Sequence, residues 1–395
     1  MEIKTCIKNL KQYSLVFLGI LLKKPITGPL SVQIDLTNQC NNECIACWCR
    51  SPFLKELAMP RKEVEKSIPF SKFKELIEEF SRMGVREVYL TGGGEPFMHP
   101  EIMKIIELIK KKSMRCSMST NFTLLDKAKI KRLVELGADE MNISVWASNP
   151  KSYARTHLNQ KAEQFAKIKT NLEFLNKTKI EMKKTKPFVN IHNVILSLNA
   201  DEIEEMIEFA FEVDADSVDF TPVDTIPGKT DFLKLNKKQC SEILKKLSQI
   251  NEKIDFMRKK FKCNTQVKGV DLLGTRIKNT LSSKKYDDLL VDALPCYAGW
   301  TFARIMADGN VIPCLKAHRI PSGNIFNENF RSIWYGKKEN FFRKQTFVYE
   351  KAGSFFKQIG NDPASFGCRK GCDNIEMNAA IHKFIGTFLF FKRRI

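Results

Sequence analysis

The feature that most constrains the fold of this chain is an alternation between short apolar runs and longer segments of helical period. Residues that favour strands dominate six runs, at 32–36, 87–91, 115–120, 141–145, 188–195 and 217–220. Between these runs, apolar residues recur every three or four positions, as in a predicted helix over 70–83. Strands that alternate with helices form a parallel sheet with right-handed crossovers, so we predict an α/β fold.

Polar and sulfur-containing segments follow directly after several of the predicted strands. A loop with cysteines follows the first strand, residues 92–95 follow the second, residues 119–121 end or follow the third, and Ser144 ends the fourth. Ligand sites of parallel sheets lie at the carboxyl ends of the strands. We therefore expect these segments to share one edge of the sheet.

The chain changes character after residue 222. We predict a loop over 223–236, one long helix over about 237–262, and a β-hairpin whose turn is Asp308-Gly309. The domain prediction has five parts: an N-terminal basic and apolar extension (1–29), the core (30–225), a helical linker (226–290), a cysteine-rich domain (291–378) and a basic, apolar tail (379–395).

The charge of the chain narrows the choice of partners. Its 395 residues carry a net charge of +20. Such an excess suits nucleic acid or an anionic membrane surface. Because the lysines are scattered, we do not expect nucleic acid. Apolar runs beside basic residues occur near both ends, at 13–22 and 384–391, and can either rest on an anionic membrane or pack as ordinary helices.

The number of cysteines raises the question of compartment, because the chain has twelve. Disulfides would need a secretory signal. The apolar run at 13–22 is a poor secretory signal peptide, since no small-residue cleavage site follows it. The run is also shorter than the about 20 residues that a helix needs to span a bilayer. We therefore expect the reducing cytoplasm, with peripheral contact to the inner face of the membrane as an option. Clustered cysteines in that compartment favour metal binding.

The sharpest motif is formed by Cys40, Cys44 and Cys47. Three thiolates at these spacings can hold a [4Fe–4S] cluster and leave one iron open to a small molecule. A zinc site with Cys44 and Cys47 as its knuckle, completed by Cys40 or Cys49, is the alternative.

This motif, in the loop after a first strand, resembles that of the radical S-adenosylmethionine (SAM) superfamily. The resemblance implies a partial (βα)6 TIM-like barrel in which the [4Fe–4S] cluster binds SAM. Gly93, Gly94 and Glu95, with the proline that follows, are similar to the glycine-rich segment that contacts the SAM amino group in that family. Glycines permit close backbone approach, and a carboxylate accepts hydrogen bonds from an ammonium.

Other positions match the SAM site less specifically, and each of them has a structural role as its alternative. Ser119 and Asn121 resemble the segment that lines the SAM site, and Ser144 resembles a position that contacts the ribose and carboxylate. Arg155 and Asn193 are further candidates for SAM contacts. One departure concerns the adenine, because Ala46 stands where the family usually has an aromatic residue. Trp48, Ile45 or backbone alone would then cover the adenine.

A second cysteine group, formed by Cys296, Cys314, Cys368 and Cys372, resembles the SPASM/twitch extension of radical SAM enzymes. Four ligands imply one closed auxiliary [4Fe–4S] cluster that transfers electrons. Structural zinc is the alternative. We predict that four of the remaining cysteines are packing thiols: Cys6, Cys116, Cys240 and Cys263. Cys49 lies close to the first motif but off its spacing, so we do not expect it to be a ligand.

The resemblance implies that the reduced cluster cleaves SAM to a 5′-deoxyadenosyl radical, which abstracts hydrogen from a substrate. A reduced flavodoxin- or ferredoxin-type protein is the expected electron donor. Our first hypothesis for the substrate is a sugar or glycan-linked compound, because few residues precede the first strand to bind a leader peptide. A peptide- or protein-modifying maturase is the alternative, and a non-enzymatic zinc- and nucleic-acid-binding protein is the rival from another class.

Overall fold

The computed structural model describes residues 2–282, 285–351, 353–360 and 367–392, with only the backbone of residues 2–10 and 387–392. Within this part the strands are β1 Ser31–Asp35, β2 Glu87–Thr91, β3 Arg115–Thr120, β4 Glu140–Ser144, β5 Phe188–Ile195, β6 Ser217–Pro222, β7 Gln266–Val267, β8 Phe302–Ile305, β9 Asn310–Ile312 and β10 Gly323–Asn324.

The helices begin with a long N-terminal one and end with a long C-terminal one. They are α1 Glu2–Leu21, α2 Arg61–Val64, α3 Phe70–Met83, α4 Ile102–Lys111, α5 Lys127–Leu136, α6 Pro150–Thr156, α7 Glu163–Glu181, α8 Ile203–Glu212, α9 Lys237–Ser248, α10 Ile250–Phe261, α11 Val270–Ser282, α12 Asp288–Asp292, α13 Ala298–Thr301, α14 Phe330–Tyr335, α15 Lys337–Thr346, α16 Gly367–Lys370 and α17 Ile375–Lys392.

All strands of the described part form one open sheet in the order β10-β9-β8-β1-β2-β3-β4-β5-β6-β7. Strands β1 to β6 pair in parallel and in sequence order, which confirms the predicted α/β fold and partial barrel. The sheet is longer than the six predicted strands, because β7 adds to β6 and β8 adds to β1, both in parallel. These two strands lie in segments that the sequence analysis assigned to other domains.

Helix α3 illustrates how the sequence pattern builds the layer outside the sheet. Phe73, Leu76, Ile77 and Phe80 recur at helical spacing and are fully buried or nearly so. The helix ends where Gly84 adopts φ 80°, a left-handed conformation that glycine takes without a steric penalty. The next residues lead directly into β2, so the helix fixes the position of that strand.

The single long helix predicted over 237–262 is wrong, because the structure breaks it into α9 and α10 at Gln249. The break lets the two halves bury their apolar faces on different neighbours. Helix α9 packs against α11, whereas α10 packs against α8. A continuous helix could not turn one apolar stripe towards both.

The predicted hairpin is present as β8 and β9 and is joined to the core sheet through β1. A buried ion pair crosses this junction: Arg304 Nε and Nη2 donate to the two carboxylate oxygens of Asp35 at 3.0 and 2.7 Å. Both side chains are almost fully buried. The five-part division of the chain stays a prediction, and the sheet itself continues across the proposed boundary.

We predict that Asp35→Asn destabilises the chain by about 3–5 kcal/mol, because it leaves the Arg304 guanidinium buried without its counter-charge. The measurement is the midpoint of urea unfolding of the cluster-free chain, followed by tryptophan fluorescence. The matched control is Glu65→Gln, which removes the exposed pair of Glu65 with Arg61 and should leave the midpoint unchanged. Equal midpoints for wild type and Asp35→Asn would contradict the prediction.

Candidate functional site

The loop that carries Cys40, Cys44 and Cys47 has little secondary structure of its own and is held from outside. The backbone N–H of Ile45 donates to the carbonyl of Thr156 at 2.9 Å, and the N–H of Leu158 donates to the carbonyl of Glu43 at 3.1 Å. These bonds dock the loop against the end of α6. The three half-buried thiols thus lie at the carboxyl edge of the sheet, as the sequence predicts.

Asn41 ties this loop to the segment after β3 and was missed in the sequence analysis. Asn121 Nδ2 donates to Asn41 Oδ1 at 2.9 Å, and Asn41 Nδ2 donates to the Thr123 hydroxyl at 2.7 Å. The Asn41 carbonyl also accepts bonds from the side chains of Asn159 and Gln160. Asn121 therefore positions the cysteine loop, and its predicted contact with SAM stays a prediction.

Gly93 and Gly94 lie where the β2 end meets the cysteine loop. A Cβ on Gly94 would stand 2.0 Å from the carbonyl oxygen of Gln39, and one on Gly93 would stand 2.3 Å from the Asn38 side-chain oxygen. The N–H of Glu95 donates to the same Gln39 carbonyl at 2.8 Å. Gly94 is therefore required by the close approach of two backbone segments, and Gly93 leaves room for the Asn38 side chain, whatever contact they make with SAM.

The Glu95 carboxylate is buried and already engaged by its neighbours. It accepts bonds from the Thr120 hydroxyl at 2.7 Å, from the Asn121 N–H at 2.7 Å and from the Phe97 N–H at 3.1 Å. Burial raises the pKa of Glu95 to about 7, against the effect of these donors. A bound ammonium would favour the ionised form. The predicted contact with the SAM amino group stays a prediction.

The remaining candidates for SAM contacts have different surroundings. Ser119 shares a hydrogen bond of 2.8 Å with the Tyr89 hydroxyl, and Arg155 pairs with Glu202 at 2.8 Å. Ser144 lies beside His192 in the strand register. Their roles as SAM contacts stay predictions, as does that of Asn193.

Buried polar atoms without hydrogen-bond partners in the described part surround the carboxyl edge. Both amide atoms of Asn193, the Trp146 indole N–H and His157 Nε2 are in this state. Burial lowers the pKa of His157 to about 4, so its imidazole is neutral at physiological pH. Buried polar groups normally have partners, so this edge fits a polar ligand such as SAM.

The structure separates the two side chains that could replace the missing aromatic residue at the adenine. Ile45 and Ala46 belong to an apolar cluster with Val194 and Leu196. Trp48 instead lies against Arg304, whose guanidinium carbon is 5.6 Å from the ring centre. Ile45 and Trp48 therefore have different surroundings, and which of them covers the adenine stays a prediction.

Cys49 lies closer to the motif than its spacing indicates. Its sulfur is 3.5 Å from Cys47 Sγ and 3.3 Å from the Gly93 carbonyl oxygen. The hydrogen bond between Cys49 and Cys47 lowers the pKa of Cys47 to about 7. Burial raises the pKa of Cys40 to about 11. The contact with Cys49 therefore favours the thiolate form of Cys47.

The second cysteine group is brought together from distant parts of the sequence. Cys296, Cys314, Cys368 and Cys372 line one cavity, together with Lys316, Lys351 and Asp373. Burial raises the pKa of each thiol. Four thiols on one cavity are the donor set of a [4Fe–4S] cluster, which would displace their protons on binding, and ligation by these residues stays a prediction. Of the predicted packing thiols, Cys116 and Cys240 are buried and Cys263 is half-buried, whereas the Cys6 side chain lies outside the described residues.

Charged groups connect the inside of the barrel with the auxiliary cavity. His192 Nδ1 and Asp219 Oδ1 are 2.9 Å apart. Because of this contact the pKa of His192 is raised and that of Asp219 is lowered, so each group favours the charged form of the other. The exposed carboxylate of Asp373 interacts electrostatically with His192, Arg304 and Lys316. Strands from the barrel and loops from the C-terminal part therefore face one polar region.

Comparison with protein families identifies both cysteine regions. Residues 34–210 match the model described as the radical SAM superfamily. Residues 296–354 match SPASM, described as an iron-sulfur cluster-binding domain. The matches coincide with the two cysteine groups, apart from Cys368 and Cys372, which lie beyond the second model.

Curated relatives extend the similarity. The probable GTP 3′,8-cyclase of Thermococcus kodakarensis is 31% identical over 189 residues, which are 47% of this chain and 54% of the relative. The chain thus spans about half the length of that relative. The GTP 3′,8-cyclase of Aquifex aeolicus is 25% identical over 81% of this chain and 94% of its own. The PqqA peptide cyclase of Gluconobacter oxydans is 22% identical over 78% and 76%.

Solved structures share the fold. Streptococcus suis SuiB bound to its precursor peptide SuiA superposes with a TM-score of 0.61 at 16% identity, over 91% of this chain and 75% of that chain. Native anSMEcpe with bound AdoMet and the Kp18Cys peptide superposes with a TM-score of 0.58 at 17% identity, over 93% of this chain and all of that chain (100%).

We predict that Cys44→Ala abolishes SAM cleavage and lowers the iron content of the oxygen-free, reconstituted chain from about eight to about four atoms, because one of two cubanes is lost. The measurements are iron, sulfide and zinc analysis, with 5′-deoxyadenosine release under dithionite. The control is Cys49→Ala, which should retain both clusters. Zinc in place of iron and sulfide, or full cleavage by Cys44→Ala, would contradict the prediction.

Proposed function

Because residues 34–210 match the radical SAM superfamily and residues 296–354 match a SPASM iron-sulfur domain, we propose that the chain is a radical SAM enzyme that modifies a peptide or a segment of a protein. Its cofactors are a [4Fe–4S] cluster, SAM and an auxiliary cluster. When bound, these groups supply the reductive cleavage of SAM and the radical that abstracts hydrogen. The protein supplies the position of the substrate and the handling of its protons.

The observation that supports a peptide is the extent of the similarity to two peptide-bound structures. It covers 91% and 93% of this chain, so it includes the barrel and most of the auxiliary region. The similarity extends over the whole anSMEcpe chain, which supports a peptide site of that kind here. The sugar hypothesis has no support among the relatives described above, and the peptide alternative agrees better with them.

The polar region between the cysteine groups suits a substrate rich in hydrogen-bonding groups. Asp219 Oδ1 accepts a hydrogen bond from the N–H at His192 Nδ1, which directs Nε2 of the ring away from the carboxylate. We assign His192 the transfer of a proton at Nε2 to or from the bound substrate. Asp224 pairs with both Lys316 and Lys370, so these ammonium groups are fixed at the rim of the auxiliary cavity.

The same proposal includes the compartment of the protein and its electron donor. All cysteines whose side chains are described are free thiols, which suits the reducing cytoplasm. The net charge of +20 suits an acidic electron donor of the reduced flavodoxin or ferredoxin type.

To identify the substrate class, extracts of the source organism grown in deuterated medium are separated into peptide, glycan and nucleotide fractions. We expect the peptide fraction alone to transfer deuterium to 5′-deoxyadenosine, because the radical abstracts a carbon-bound hydrogen from its substrate. Mass spectrometry of 5′-deoxyadenosine provides the measurement, with Cys44→Ala as the inactive control. Transfer from the glycan fraction or from GTP, or transfer that survives protease digestion, would contradict the proposal.

We also propose that the two ends of the chain form one membrane-binding surface. Phe17 of α1 contacts Phe384 of α17, with ring centres 5.1 Å apart. Around this contact, apolar side chains remain exposed, among them Tyr13 at 54%, Leu18 at 43% and Phe384 at 60%. On the inner faces, Val16 and Ile20 of α1 are buried and Ile381 and Ile385 of α17 pack against the same apolar cluster, which anchors both helices to the protein.

The charge around this surface favours an anionic bilayer over an apolar protein partner. Residues 1–29 contain five lysines and one glutamate, and residues 379–395 contain two lysines, two arginines and no acidic residue. Each basic residue near an anionic surface contributes about 1 kcal/mol. None of the helices in the described part is sufficiently long and apolar to span a bilayer. The geometry that we propose is therefore binding in the plane of the interface.

We predict that the protein co-sediments with vesicles of phosphatidylcholine and phosphatidylglycerol but not with phosphatidylcholine alone. Leu18→Glu with Phe384→Glu should weaken binding at least tenfold, because it places charges among the apolar contacts. Ile180→Glu, on the exposed face of α7, is the control. If the protein bound neither kind of vesicle, the proposal would be wrong. If light scattering showed a dimer that dissociates in the double variant, the surface would be a dimer interface instead.

A further inference from the structure

Lys351 is the most enclosed ammonium group near the auxiliary cavity. Its side chain is almost fully buried, at 2% exposure. Four backbone carbonyl oxygens surround Nζ: those of Val291, Val348 and Tyr349 at 2.8 Å and that of Leu294 at 2.7 Å. Carbonyl oxygens only accept hydrogen bonds, so this cage is built for a donor with several protons.

The cage differs from an ordinary buried ion pair. Among the described residues, no carboxylate lies within salt-bridge distance of Lys351, and the nearby Asp292 bonds its backbone N–H instead. Lys316, on the same cavity, is directly paired with Asp224. Burial lowers the pKa of Lys351, although charges around it oppose this effect. Its positive charge is thus held in direct contact by carbonyl dipoles, and the carboxylate of Asp292 acts on it only from beyond salt-bridge distance.

The charge acts on the predicted ligands of the auxiliary cluster. Lys351 lines the cavity that contains all four cysteines of the second group. Its field favours the thiolates of Cys296 and Cys368, since it lowers their pKa values against the effect of burial. The same field acts on any negative charge held at this position, and it is screened little because the cavity is buried.

We propose that Lys351 sets the reduction potential of the auxiliary cluster. The inference rests on ligation by the second cysteine group and does not depend on the identity of the substrate. Reduction adds one electron and one unit of negative charge to the cluster, with no bond or proton transferred. A fixed ammonium stabilises the reduced state more than the oxidised one and therefore raises the midpoint potential. Lys351 acts on the cluster through its charge alone.

The test uses the full chain with Cys40, Cys44 and Cys47 replaced by alanine, so that only the auxiliary cluster remains. Anaerobic potentiometric titration followed by electron paramagnetic resonance gives its midpoint potential. We expect Lys351→Met to lower the ratio of reduced to oxidised cluster at least tenfold at a fixed potential. For a one-electron couple this corresponds to a decrease of about 59 mV in the midpoint potential. Lys351→Arg should stay close to the parent, and Lys104→Met, an exposed site, is the remote control.

A purely structural role is separated by a second variant and by metal analysis. Lys351→Gln can still donate to the carbonyl cage but carries no charge, so it should shift the potential in the same direction with full iron content. Unchanged midpoints in both neutral variants, at full loading, would overturn the proposal. So would loss of the cluster from both neutral variants with retention in Lys351→Arg, because the ammonium would then serve assembly. If the auxiliary site holds no iron in the parent, the ligation itself is wrong, which is a separate failure.

Discussion

The contact between the cysteine loop and the end of β2 is the constraint on which the rest of the N-terminal site depends. A loop without regular secondary structure has to obtain its hydrogen bonds elsewhere, because buried backbone groups are costly when unpaired. The carbonyl of Gln39 receives the N–H of Glu95, and Gly94 leaves the space that this approach requires. Glu95 in turn holds Thr120 and Asn121, and Asn121 holds Asn41 within the loop. Three strand ends are therefore connected before any cofactor is considered.

Several buried charges in the described part of the chain have specific partners. Arg304 is neutralised by Asp35, and Lys316 is paired with Asp224, whereas carbonyl dipoles hold Lys351. These solutions have different electrostatic consequences. An ion pair adds little net field at a distance, but a dipole cage leaves the charge effective. The auxiliary cavity contains both kinds, so its electrostatics depend on which lysine is considered.

Part of this molecule could be predicted from sequence with simple rules. The period of apolar residues predicted the six core strands, and the spacing of Cys40, Cys44 and Cys47 indicated the superfamily whose model matches residues 34–210. The break of the helix at Gln249 was missed because both halves keep a helical period, and only their neighbours differ. Asn41 was also missed, since a single asparagine in a loop carries no pattern that distinguishes it from any other.

The sequence by itself determined the elements and the chemistry of the sulfur ligands, because periodicity and ligand spacing are local properties of the chain. Tertiary structure alone decided which distant residues meet. It paired β8 with β1, collected Cys296, Cys314, Cys368 and Cys372 around one cavity, and enclosed Lys351 with backbone carbonyls. The physical reason is that pairing, burial and electric fields depend on distances in space, which residues far apart in the chain acquire only when the core has closed.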